Sequence, residues 1–311
     1  MVFGSKQYLK SELDQKWGAG RWIPLPTFDH VQASGKHRRI DNGLASGHNE
    51  ATAYSEALES CNAFQPGFTA KLFYQEMVSA GVPRDVIRGV VIESRGEDMP
   101  DAYRWLPVAE SDQCLNIVAA YDAENRVWTY QEIFGMLFGL SSSVINFNPW
   151  SVFLEALSRR WLFLPVSMFY DDSRIIDVNC ARERGQRYLQ ALFRLIGAPL
   201  AEEKSEKLSC DGDFLELAHD TQCALTDGWM SFKPRECITS TLQSIIAKCL
   251  EDDWCEPSDA NEIRGIVNFA SCGQFGRIGR VGLGPLAVRQ YADRPPWHLS
   301  KKRVPRKDSS A

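Results

Sequence analysis

The chain has 311 residues, 44% of them hydrophobic and 24% charged, and a net charge of −5. That composition supplies a large core in about one to three domains, while the negative total argues mildly against a nucleic-acid binder. The longest apolar runs, IFGMLFGL and WLFLPVSMF, fall short of the ~20 residues that cross a bilayer. The charged start MVFGSKQYLKSELDQKWG lacks a secretory pattern, so the expectation is a soluble intracellular protein of nucleus or cytoplasm with no membrane partner.

The first ~95 residues mix helical patches with turns. KQYLKSELDQKW reads as an amphipathic helix, GAGRWIPLPTF as loop, ATAYSEALESCNAF (51–64) as another helix, and DVIRGVVIES as strand or helix. LNIVAAY and RVWTYQEI flank the polar turn DAEN, a hairpin signal. FGLSSSVINFNPWSVFLEALSRRWLF follows as a Gly-containing turn, a serine N-cap and a long helix that Pro149 should kink or interrupt. PVSMFYDDSRIIDV reads as strand, tight turn, strand; RERGQRYLQALFRLIGAPL as a helix ended by Gly197 and Pro199; CDGDFLELAHD as a short hairpin. After about 221 the pattern is mostly helical, and the basic tail KKRVPRK (301–307) looks disordered. Nine cysteines and five histidines are dispersed with no C-x-x-C pair, which points to reduced thiols rather than a zinc site or disulfide framework.

The adjacent acids Asp171 and Asp172 pose the sharpest question, because neighbouring carboxylates repel and are costly to bury without a partner. They form either a surface turn, which Asp favours, or a divalent-metal site. A chain of this length holds about one Asp-Asp pair by chance, so the pair alone does not choose. A second acid, Asp98, stands 73 residues upstream of Asp171 at the end of an expected strand, far enough for the two acidic strands to lie side by side.

The order of motifs resembles that of reverse transcriptases, the RNA-directed DNA polymerases of retroelements, over roughly residues 15–295. DMPDAYRWLPV resembles their first palm motif, with the acid at Asp98 and the aromatic at Tyr103. LFGLSSS resembles the Gly-bearing motif before the long palm helix, and FYDD the Y-x-D-D hairpin. GKHRRIDN resembles the fingers strand that holds the incoming triphosphate. LIGAPLAEEKS and FLELAHD resemble the last two palm motifs, and EIRGIVNFASCGQFGRIG a helical segment after the palm.

The resemblance implies an α+β right-hand polymerase: fingers and palm over 1–220, a helical thumb over 221–295 and a basic disordered tail over 296–311. It implies template-directed addition of deoxynucleotides from dNTPs to the 3′-hydroxyl of a primer on an RNA or DNA template. Two Mg²⁺ ions, or Mn²⁺ in their place, would be held by Asp98 and Asp171, with Asp172 as a weaker or outer ligand and the Met99 carbonyl as a further oxygen. The ions would relieve the repulsion within the acid pair. Lys36 and Arg38 (or Arg39) would contact the triphosphate, or else form a solvated basic edge. Tyr103 would lie under the sugar, or else in the core. Gly139 would bring the backbone close to substrate, or simply enter a helix. Lys204 would be a general acid for pyrophosphate, or a surface lysine.

The chain departs from the pattern at Glu216, where the family usually has glycine, at Pro100 and at Pro149. No RNase H, protease or integrase pattern is visible, so a fragment or relic of a larger polyprotein is a further expectation. The rival readings are therefore a catalytically inactive, retroelement-derived protein that binds nucleic acid or a protein partner, and an RNA-templated RNA polymerase.

Overall fold

The computed structural model describes residues 4–31, 35, 37–53, 58, 61, 64–201, 205, 207–215, 217–271, 280 and 282–292. Lys36, Lys204, Glu216 and the tail from 293 lie outside the described residues, so the expectations placed on them do too. The fold is mixed α+β and divides into two compact units. Met1–Ser60, Glu97–Ser173 and Tyr188–Ser205 make the first; Cys61–Gly96, Arg174–Arg187 and Glu206–Ala311 make the second.

In chain order the elements begin with β1 (Gly4–Tyr8), α1 (Lys10–Trp17), β2 (Pro24–Val31), β3 (His37–Asp41), α2 (His48–Ala51), α3 (Gln65–Ser79), α4 (Arg84–Arg88) and β4 (Ile92–Asp98). Then come β5 (Ile117–Asp122), β6 (Val127–Ile133), α5 (Ser141–Trp161), β7 (Val166–Phe169), β8 (Asp172–Val178) and α6 (Arg184–Leu195). Last are β9 (Asp211–Phe214), β10 (Leu217–Asp220), β11 (Ser231–Pro234), α7 (Glu236–Glu251), α8 (Pro257–Ala270) and α9 (Leu283–Ala292).

The first unit holds a five-stranded sheet in the order β1-β6-β5-β2-β3, antiparallel except for the β2–β5 pair. The expected β5–β6 hairpin is present, with Tyr121 across from Trp128. Its turn is built by Asp122, whose Oδ1 accepts the amides of Glu124 and Asn125 at 3.0 Å. Helix α1 docks on β6 through the buried Glu132 carboxylate, which accepts Lys16 Nζ at 2.7 Å and Trp17 Nε1 at 2.6 Å. Leu25, Val118, Ile133, Leu137 and Leu140 form one core cluster, and Leu13, Trp22 and Ile117 another.

Helix α5 corrects the local reading at its start: none of its serines caps it. It runs on through Pro149 without a break there. The Ser141 amide is capped instead by Asn49 Oδ1 at 2.8 Å, while Asn49 Nδ2 donates to the Gly139 carbonyl at 3.0 Å. The helix expected over 51–64 is not formed by its described part: Thr52, Ala53, Leu58 and Cys61 are not helical, and α3 begins at Gln65.

In the second unit β9, β10 and β11 make a three-stranded antiparallel sheet. The β9–β10 hairpin was expected, whereas β11 interrupts the region that reads as mostly helical. Ala70, Ile87, Ile92, Ile176 and Leu225 form its core cluster. Beside it Arg174, only 2% exposed, donates to Ser94 Oγ at 2.7 Å, to the Asp213 carbonyl at 2.6 Å and to His219 Nε2. Helix α6 ends as expected, with Gly197 at φ +74° and the Ala198 amide bonded to the Phe193 carbonyl at 2.8 Å.

A third sheet has the order β4-β8-β7, with β7 and β8 flanking the expected tight turn. None of the eight described cysteines lies in a disulfide. No helix among the described residues is long and apolar enough to cross a membrane.

Candidate functional site

Asp98 ends β4, and its carbonyl accepts the Ala201 amide at 3.0 Å. Asp171 lies in the β7–β8 turn, half-buried, and Asp172 opens β8, exposed. The turn needs Tyr170 at φ +53°, and Ser151 Oγ of α5 holds the Tyr170 carbonyl at 2.7 Å. Between β4 and β8, the Asn179 amide bonds the Val91 carbonyl at 2.9 Å, and Ser173 Oγ bonds the Glu97 carbonyl at 3.0 Å. Residue numbers thus rise on one strand as they fall on the other.

Tyr103 lies on the 3₁₀ turn Ala102–Trp105 that follows Asp98. Its ring packs edge-on against Phe138 at 4.9 Å and Phe147 at 5.0 Å. Burial pushes the phenol up to about 12, and the negative charge of Asp171 adds to that rise. Tyr103 therefore sits both in an aromatic cluster and within the field of the acid pair.

The basic strand is more committed than its sequence suggests. Arg39 Nε approaches Asp41 Oδ1 at 3.1 Å, although without the alignment of a hydrogen bond. Asp41 is fully buried, accepts Thr27 Oγ1 at 2.7 Å and has Arg104 Nη2 at 3.5 Å. Burial and the charge of Arg39 lower the Arg104 pKa, while Asp41 and Asp101 oppose that shift. Arg38 lies in β3 across from His30. Gly139 has φ +96°, and a β-carbon there would lie 2.0 Å from the Asp41 carbonyl oxygen. The close approach this glycine permits is to the backbone of β3.

Asp41, Arg104 and Asn49 are the residues that sequence reading missed. For Asp41 one signal existed: it follows Arg39 by two in a strand, so period-two alternation puts both on one face.

Among the described residues no group of three or more His, Cys, Asp or Glu side chains gathers tightly enough to hold a metal ion. The donor chemistry nevertheless suits Mg²⁺, which is usually bound by one or two carboxylates with substrate phosphates completing its shell. A cavity of about 460 Å³ beside the start of α5, lined by Ser46, His48, Asn116, Met136, Ser143 and Asn146 among others, includes none of the sequence-derived site residues.

No family model and no curated protein matches the chain. Among solved structures, a foamy viral protease–reverse transcriptase dRH in complex with double-stranded DNA aligns over 92% of this chain and 45% of its own, at 14% identity and a TM-score of 0.53. A second foamy viral protease–reverse transcriptase, also in complex with double-stranded DNA, aligns over 80% of this chain and 43% of its own, at 14% identity and a TM-score of 0.47. The first likeness shows a reverse-transcriptase-like fold, and the chain spans about half the length of each of these proteins.

Proposed function

We propose that this chain is an RNA-directed DNA polymerase, transferring deoxynucleotides from dNTPs to a primer 3′-hydroxyl on an RNA or DNA template. The observation that carries the reading is the placement of Asp98, Asp171 and Asp172 at the end of β4 and the β7–β8 turn of a reverse-transcriptase-like fold. Asp98 and Asp171 would hold two Mg²⁺ ions (or Mn²⁺), with Asp172 outside them and the Met99 carbonyl as a further oxygen. Bound there, divalent ions supply charge neutralisation for the attacking hydroxyl and the leaving pyrophosphate.

The chain's own residues align the reactants. Lys36 and Arg38 take the triphosphate through charge-assisted hydrogen bonds, and Arg39, paired with Asp41, stiffens β3. Tyr103 packs against the deoxyribose. Lys204 stands as the proton donor to pyrophosphate, and the basic tail attracts template phosphates. In this reading residues 1–220 supply fingers and palm, and residues 221–295, with α7–α9, a thumb.

A second reading, an inactive protein that keeps the fold and binds nucleic acid or a protein partner, is favoured by the net charge of −5. Primer extension on RNA and DNA templates, with and without Mg²⁺, separates the two. Extension that requires Mg²⁺ and is lost in Asp98→Asn supports the polymerase. Template binding without extension on any template overturns it.

A further inference from the structure

The cavity beside the start of α5 lies wholly within the first unit, to which every described residue of its wall belongs. Its volume of about 460 Å³ falls in the range that takes small organic ligands. Much of the wall is apolar, from Ile23, Val108, Leu115, Met136 and Leu140. Two buried polar side chains interrupt it: Asn116 and Ser143, each 3% exposed. Asn116 spends its amide hydrogens on the Ile133 carbonyl at 2.5 Å and the Gly135 carbonyl at 2.9 Å. Its Oδ1 accepts no hydrogen bond among the described residues, and the Ser143 hydroxyl makes none there either. Neither oxygen is sealed inside the protein, so the cavity is the space each one faces.

Buried polar groups ordinarily have partners, and two with hydrogen-bonding capacity to spare in one cavity are a ready-made polar anchor. The rest of the wall narrows the chemistry. His48 contributes carbon surface only, because its ring nitrogens are engaged by the Leu115 carbonyl at 2.9 Å and Ser46 Oγ at 2.7 Å. No lysine or arginine stands among the described lining residues, whereas the exposed carboxylate of Asp112 does. A phosphate or carboxylate entering here would meet no cation and one like charge. Asn116 Oδ1 can only accept, so the ligand must bring an N–H or O–H; the Ser143 hydroxyl can donate in return.

We propose that this cavity binds a small uncharged ring compound carrying an N–H donor beside an acceptor, with Asn116 Oδ1 and Ser143 Oγ holding that polar edge against apolar walls. An aromatic carboxamide and a free nucleobase share this chemistry; a nucleotide lacks it, because its phosphate has no cation to meet. The site is separate from the acid residues and from the triphosphate contacts of the polymerase reading, and it stands whether or not the chain extends primers.

The test titrates the full chain, without divalent ions, with benzamide, cytosine and benzoate while amide resonances are followed by NMR. Benzamide or cytosine should bind saturably at about millimolar concentration, the scale for fragments of this size. The shifts should centre on residues 108–116 and 142–146, and the tighter of the two identifies the source of the ligand. Benzoate, which matches benzamide in shape but carries a charge and no N–H, should bind at least tenfold more weakly. Ser143→Ala should weaken binding about fivefold, the scale of one hydrogen bond. Ala109→Trp plugs the cavity from an exposed position and should abolish binding, whereas Asp98→Asn should leave it unchanged. Absence of saturable binding by both benzamide and cytosine overturns the proposal. So does benzoate binding as tightly as benzamide, shifts centred elsewhere, or binding that survives A109W. If A109W does not fold, Met136→Trp fills the same cavity and is read in the same way.

Discussion

Gly139 and Asp41 meet backbone to backbone: the space a β-carbon would take on Gly139 is already occupied by the Asp41 carbonyl oxygen, 2.0 Å away. Gly197 offers a control, since it too has positive φ (+74°) but nothing lies within 4 Å of its missing β-carbon. Gly197→Ala should cost only the left-handed backbone strain, about 1–2 kcal/mol. Gly139→Ala adds the clash, so its denaturation midpoint should fall well below that of G197A, by an additional ~2 kcal/mol or more. Equal midpoints would mean that the loop before α5 yields easily.

Asp41 stands between two arginines, Arg39 and Arg104. Asp41→Asn would leave two half-buried cations facing each other, and breaking such a buried pair costs about 3–5 kcal/mol. Removing one cation as well should relieve the repulsion. The double variant Asp41→Asn with Arg104→Met is therefore expected to be more stable than D41N alone, as measured by urea unfolding.

The acid pair makes the catalytic prediction. Asp98→Asn and Asp171→Asn should each lower primer extension about 100-fold or more, the scale lost when a transition-state charge stabiliser is removed. Circular dichroism and melting temperature should be unchanged or slightly higher, because a repelling charge is gone. Unaltered extension in both variants would remove these residues from the chemistry.

Tyr103 carries two loads that substitution can separate. Tyr103→Ala opens space where a ribose 2′-hydroxyl would otherwise overpack, worth about 1–3 kcal/mol, so the deoxy-over-ribo preference in kcat/KM should narrow roughly tenfold or more. The same change removes ring contacts to Phe138 and Phe147 and should lower the melting temperature. Tyr103→Phe keeps those contacts and should keep both stability and preference. A wild type indifferent to the sugar would favour an RNA polymerase.

His219 sets a pH dependence. Burial, and then the charge of Arg174, push its pKa from the ordinary 6.5 down to about 3. Between those values the unfolded chain binds a proton that the folded ring refuses. Stability should therefore fall as pH drops from 6.5 toward 3, with a slope of at most ~1.4 kcal/mol per pH unit from this group. Urea midpoints at pH 7 and pH 5 measure it, and His219→Gln should flatten this contribution.

What could be read in advance was what repeats locally. Alternating β-branched runs around DAEN and around YDD gave two hairpins, and Gly197 gave a helix end. The acid residues were legible because few roles suit adjacent carboxylates after an apolar strand. What escaped reading depends on distant partners. The cap of α5 comes from Asn49, 92 residues upstream of Ser141, so the serines at its start misled. Pro149 was read as a kink or a break, and of the two the break is not formed, since α5 runs on through it. Arg104 drew no reading, because its partner Asp41 lies 63 residues away in β3. The network of Arg174, Ser94 and His219 draws on three separate segments and has no local signature.

The three-pass path of the chain through each unit has a consequence for how the molecule comes into being. The cluster of Ala70, Ile87, Ile92, Ile176 and Leu225 draws on all three stretches of its unit, so it cannot close until residue 225 has left the ribosome. The other unit waits in the same way for its last stretch, Tyr188–Ser205. Neither can be released intact by cutting the chain once or twice. Contacts this distant in sequence make folding slow, and a nascent chain carrying Ile87 and Ile92 unpaired exposes apolar surface for much of its elongation. Truncations of this protein should therefore aggregate rather than yield half-molecules, and early collapse is a hazard that only completion of the chain removes.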